Sequence, residues 1–156
     1  MKKGLKIILS IVLLIVIFII ILSIFFSIKG NKKSITEEKF ISEMTNIGYT
    51  SSKVTTSSTV IDTYLAEKDN LKIYFNVASS EQLATNNFNI IKSKYENLKV
   101  ESSAETSVSI NSYSKYTLLN NEYYMVVTRI GNTVMYAQVD KQEKDIVKDI
   151  FKQLGY

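Results

Sequence analysis

The chain of 156 residues contains no Cys, no His, no Trp and no Pro, and only five Gly. Each absence closes a class of chemistry. Without Cys there is no disulfide framework, no thiolate metal site, no cysteine nucleophile and no lipidated N-terminal cysteine. Without His there is no imidazole general base, no serine–histidine–carboxylate triad and no imidazole metal ligand. The few glycines form no Gly-rich run, so a phosphate loop of the GxxxxGK type is missing, as is the calcium loop with alternating Asp and a central Gly. No metal and no cofactor is expected. Arg occurs once, as Arg129.

What the chain does have is a long apolar run. Residues 7–28 read IILSIVLLIVIFIIILSIFFSI, without a single charge. As a helix rising about 1.5 Å per residue the run spans roughly 33 Å, enough to cross a hydrocarbon core of ~30 Å. In lipid an unpaired backbone group costs several kcal/mol, so a helix is the form that satisfies this run despite its many Ile and Val. A cleaved signal peptide has a shorter apolar region and a small-residue cleavage site. The nearest candidate here, Gly30 after Ile28 and Lys29, fits poorly. The run also resembles a type IV prepilin in outline, with Lys3-Gly4-Leu5 in place of the leader end. That family usually carries Glu five residues after the Gly, where this chain has Leu9, and Lys29, Lys32 and Lys33 interrupt the amphipathic continuation.

The expected organisation is a basic flank (1–6), a transmembrane signal-anchor helix (7–28), a basic linker (29–33) and an extracytoplasmic domain (34–156). Lys2, Lys3 and Lys6 precede the span, and Lys29, Lys32 and Lys33 follow it. That near tie leaves orientation to the order of features. A short basic N-terminus running straight into apolar sequence favours the N-terminus inside and the domain outside. The six lysines are assigned to anionic lipid headgroups. Residues 34–156 hold the other 13 basic residues and all 15 acidic ones, a net of −2. A slightly acidic domain with one Arg lacks the footprint for a phosphate backbone, so nucleic-acid binding is not expected.

Within the domain, periodicity and turn residues predict eight elements. A helix over 37–47 places Phe40, Ile41, Met44 and Ile47 on one face, with Thr36 as N-cap, Ile35 and Phe40 as a hydrophobic staple, and Gly48 as the stop. The Ser/Thr tract 50–59 reads as a loop or frayed edge strand. Strands over 60–68 and 71–78 meet at an Asp69-Asn70 turn, which sets Glu67 opposite Lys72. A helix over 81–98, capped by Ser79 with Gln82, carries a stripe of Leu83, Ala84, Phe88, Ile91, Tyr95 and Leu98. Residues 100–112 are Ser-rich and ambiguous. Strands over 113–119, 122–130 and 133–139 turn at Asn120-Asn121 and Gly131-Asn132. A last helix over 141–154 is capped by Asp140. The order α-β-β-α-β-β-β-α predicts an α+β domain, an antiparallel sheet of about five strands packed with three helices.

Catalytic signals are weak. The carboxylates sit at helix ends, turns and hydrated faces, with no pair marked for glycosidase chemistry. The nearest Ser-x-x-Lys, Ser112-Tyr113-Ser114-Lys115, lacks a helix start. Binding signals are stronger. The Gly131-Asn132 turn pairs Ile130 with Thr133, which places Tyr124, Val126, Thr128, Ile130, Thr133, Met135, Ala137 and Val139 on an uncharged core face. The opposite face mixes Tyr123, Met125, Arg129 and Tyr136 with Val, a composition typical of binding surfaces. Those four are the candidate ligand-binding residues; the competing reading places them under a helix or in ordinary cross-strand packing. The functional expectation is a membrane-anchored, non-catalytic binding module. Its partners would be membrane lipid and a membrane or cell-envelope protein. The alternatives are an envelope enzyme using carboxylates or a Ser–Lys pair, and a pilin-like or scaffold subunit.

Overall fold

A computed structural model of the chain describes residues 32–54 and 61–156. The expected span 7–28 and Lys2, Lys3, Lys6 and Lys29 lie outside the described residues. Among the described residues no helix is long and apolar enough to cross a membrane.

The domain is α+β, one antiparallel sheet of seven strands with three α-helices. Chain order is α1 (Glu37–Asn46), β1 (Thr50–Val54), β2 (Ile61–Lys68), β3 (Leu71–Ala78), α2 (Glu81–Glu96), β4 (Ala104–Ile110), β5 (Tyr113–Leu119), β6 (Tyr123–Ile130), β7 (Thr133–Asp140), a 3-10 turn (Lys141–Glu143) and α3 (Lys144–Gln153). Spatial order is β1-β2-β3-β7-β6-β5-β4, with every neighbouring pair antiparallel. The connection through α2 therefore carries the chain from β3 across β7, β6 and β5 to the far edge.

Local signals set the centre of the sheet. Thr36 Oγ1 accepts from the Lys39 amide at the start of α1, Ile35 packs against the core beside Phe40, and Gly48 follows at φ +85. Asp69 turns β2 into β3 at φ +54, with Glu67 opposite Lys72 and their side chains 2.9 Å apart. Ile130 pairs with Thr133 across Gly131-Asn132, as the two-residue turn requires.

Four expectations are corrected. The sheet has seven strands rather than about five, because 50–54 and 104–110 are the two edge strands. β4 is exposed almost throughout, and β1 is exposed except at Ser51 and Val54, so neither shows the apolar alternation by which a half-buried strand is read. Ser80, not Ser79, caps α2 by accepting from the Leu83 amide at 3.2 Å. The β5–β6 turn falls at Asn121-Glu122, because Asn120 Oδ1 accepts from the amides of Glu122 and Tyr123 and fixes Asn120 on the strand side. The Asp140 side chain makes no capping bond, and three residues of 3-10 turn separate it from α3.

Both faces of the sheet are covered. On one, Phe40 and Met44 of α1, Val147, Ile150 and Phe151 of α3, and Leu154 just after it pack on Tyr64, Phe75, Val126, Ile130, Met135 and Ala137. Phe75 sits at its centre, stacked on Phe40 at 4.9 Å and edge-on to Tyr156. On the other, Ala84, Phe88, Ile91 and Tyr95 of α2 pack on Tyr116, Leu118, Met125, Val127 and Val134. The uncharged face expected from the β6–β7 register is the first of these two cores.

A tyrosine-lined groove beside helix α2

Helix α2 starts above the end of β3, where Ser80 caps it, and its chain ends near the β5–β6 turn, where Asn120 Nδ2 donates to the Leu98 carbonyl. That diagonal leaves one corner of its sheet face open, over the start of β3 and the end of β7. The open corner is a groove of about 680 Å³. Its floor is Tyr74 and Tyr136, which are register partners on β3 and β7 with rings stacked at 4.9 Å and 8°. Tyr95 and Leu98 wall it from the helix side, Tyr123 from β6, and Gln138, Asp140 and Lys72 add polar groups at the rim.

The electrostatics follow from burial. The Tyr136 hydroxyl is pushed up to about 12, first by burial and then by Tyr74, with a bond from Asn76 pulling the other way. Burial, with smaller contributions from Tyr136 and Tyr74, raises Tyr95 as well. These phenols stay neutral across the physiological range, so they present ring faces and neutral hydroxyls to the groove.

The four candidate residues divide. Tyr123 and Tyr136 are half-buried and line the groove. Met125 is fully buried beneath α2, in contact with the second core. Arg129 is 5% exposed and donates to three groups, the carbonyls of Gly131 (3.1 Å) and Asn111 (2.9 Å) and Ser114 Oγ (3.4 Å). Arg129 thereby ties the β4–β5 turn to the β6–β7 turn. Tyr74, Tyr95 and Gln138 line the groove but were not among the candidates read from the sequence. Tyr74 alternates with core residues Ile73 and Phe75, and only the pairing of β3 with β7 brings it onto Tyr136.

The residues weighed for catalysis are separated or engaged. Ser112, the serine of the Ser-x-x-Lys stretch, lies in the β4–β5 turn, where its carbonyl accepts from the Gly131 amide at 2.9 Å, and Lys115 stands on β5. Ser114 Oγ lies 3.0 Å from Ser109 Oγ and within reach of Arg129. Glu105 pairs with Lys99 at 3.0 Å and accepts from the Tyr116 hydroxyl at 3.2 Å. Those bonds hold its carboxyl below the usual range, the opposite of what a general acid needs. Asp62 pairs with Lys53 and Glu96 with Lys92. Among the described residues no group of acidic side chains is arranged to hold a metal ion.

Of the expected headgroup lysines, two are described. Lys33 is exposed, and Lys32 Nζ donates to the Gly155 carbonyl at 3.1 Å and lies 4.7 Å from the centre of the Tyr113 ring. Compared with known proteins, the chain matches no family model, no curated protein and no solved structure.

Proposed function

We propose that the chain is a single-pass membrane protein whose folded domain is a non-catalytic binding module outside the cell, with the tyrosine groove as its ligand surface. The stacked Tyr74–Tyr136 pair carries the reading. Two partly exposed rings, locked in register on a sheet, offer large apolar area with little entropy left to lose on binding. The polar rim of Gln138, Asp140 and Lys72 supplies orientation. The partner is a membrane or cell-envelope protein. The span 7–28 and the linker 29–33, which reaches less than ~18 Å at full extension, confine the domain to the membrane surface and raise its effective concentration for such a partner.

Two measurements test the two halves of this reading. A photo-crosslinking residue at Tyr123 in intact cells is expected to join one discrete membrane or envelope protein, and Tyr74→Ala is expected to abolish the product. Absence of any such product in the parent counts against the binding role. Protease added to intact cells should digest residues 34–156 and leave a membrane-protected N-terminal fragment. Recovery of the full-length chain in the soluble fraction after detergent-free lysis would remove the anchor.

A further inference from the structure

A second groove, of about 710 Å³, lies on the opposite face of the sheet between α3 and the β4–β5 hairpin. Its chemistry differs from that of the first. Lys144, Lys148 and Lys152 recur at i, i+4 and i+8, so they form one stripe along α3. Across the gap stands Lys115 of β5, half-buried, with Tyr124 and Leu119 forming the apolar wall.

Four ammonium groups converge there with little acid to meet them. Lys115, Lys144 and Lys152 have no ion pair among the described residues, and Lys148 reaches only Asp145, at 3.9 Å. Of the two acids at the groove, Glu105 is committed to Lys99 and Tyr116, which leaves Asp149. Burial, and then the nearby Lys32 and Lys148, hold Lys115 below the usual lysine range. Like charges gathered with little counter-charge are unfavourable in the empty groove and favourable once an anion fills it.

The position of the groove selects the anion. Lys32 is seated on Gly155, three residues beyond Lys152, and on Tyr113, two residues before Lys115. Only three residues of chain separate Lys32 from Ile28, the end of the apolar run, and the four Cα steps between them reach at most ~14 Å. The four lysines therefore stand at the end of the domain nearest the start of the tether.

We propose that the groove formed by Lys115, Lys144, Lys148 and Lys152 binds the phosphates of anionic lipid headgroups and so docks the domain face-down on its own membrane. This rests on the anchored reading above. With α3 and the β4–β5 hairpin toward the lipid, the tyrosine groove on the other sheet face is left open to a partner.

The test uses the full-length chain reconstituted into vesicles of phosphatidylcholine alone or with phosphatidylglycerol. An impermeant amine-acylating reagent labels the lysines, and mass spectrometry reads each site. With phosphatidylglycerol, labelling of Lys115, Lys144, Lys148 and Lys152 is expected to fall at least ~3-fold relative to phosphatidylcholine and to recover in high salt, while Lys72 and Lys94 on the other face stay constant. Lys148→Gln with Lys152→Gln, both at exposed positions, should remove the protection of Lys115 and Lys144. Equal labelling in the two vesicles overturns the proposal. So does protection that a soluble poly(glycerol phosphate) confers and phosphatidylglycerol does not. A chain that fails to float with either vesicle removes the anchor and the proposal together, whereas a chain that floats unprotected removes the proposal alone.

Discussion

The two faces of the sheet carry grooves of nearly equal size, about 680 and about 710 Å³, and of contrasting character. The groove beside α2 is floored by strand residues, the tyrosines of β3 and β7, exposed because a single diagonal helix cannot cover seven strands. The groove beside α3 is cationic because its wall is the outer flank of a helix whose opposite flank is the core. An amphipathic helix supplies lysine to whatever lies alongside it, while a strand face left bare supplies what was selected to be half-buried. The same shortage of cover thus yields an aromatic site on one side and a charged site on the other.

Alkaline pH probes both sides and is expected to have the largest effect. Burial pushes Tyr116 and Tyr136 on the α2 side, and Tyr124 and Tyr156 on the other, up to about 12, and it raises Tyr95 too. The folded state then binds more protons than the unfolded chain above the ordinary tyrosine value of 10.0, so stability is full below that pH and falls from about 10 to about 12. Circular dichroism and tyrosinate absorbance should change together over that window. Tyrosinate appearing near 10 in a chain that keeps its fold would show these rings to be wetter than the packing implies.

Next in size are the core truncations. Phe75→Ala should cost about 3–5 kcal/mol in denaturant unfolding, since it removes a fully buried ring together with its stack on Phe40 and its edge contact with Tyr156. Phe88→Ala on the α2 side should fall at the lower end of about 3–5 kcal/mol, because that ring keeps 6% of its surface exposed whereas Phe75 keeps none. A larger loss at Phe88 would reverse the ranking of the two cores. Arg129→Met should cost about 1–3 kcal/mol by leaving the Gly131 and Asn111 carbonyls without their donor. If Met at this position leaves the unfolding midpoint unchanged, the clamp between the two turns contributes nothing.

The smallest expected change is a gain. Thr128 Oγ1 is buried on the α1/α3 side of the sheet and has no hydrogen-bond partner among the described residues. Thr128→Val keeps the shape and removes the unpaired hydroxyl, so unfolding should require about 1 kcal/mol more. A loss of stability instead would mean that the hydroxyl is satisfied.

Much of the fold was legible because it is local. The Thr36 cap, the Asp69 turn and the Gly131-Asn132 register each depend on residues within a few positions of one another. The uncharged face of β6 and β7 followed from that register, because side chains alternate strictly along a strand. The edge strands were only partly legible. The Ser/Thr tract from Thr50 was open to an edge strand, whereas Ala104–Ile110 is exposed along nearly its whole length, so its pairing leaves no apolar pattern in the residues. The register placed all four candidate residues on one face but said nothing of their depth. Met125 lies in the core beneath α2 and Arg129 is buried between two turns, while Tyr123 and Tyr136 line a groove.

By itself the sequence determined the α+β class, the core-facing stripes and the central turns, since backbone periodicity and turn chemistry act over short separations. It also determined which functions lack residues to perform them. Only the tertiary structure decided that β3 pairs with β7 and that α2 lies diagonally across β7, β6 and β5, and hence that Tyr74 meets Tyr136 and Lys115 faces the lysines of α3. Those meetings join residues more than 25 positions apart, and their partners are set by how helices and strands of fixed length share one limited surface.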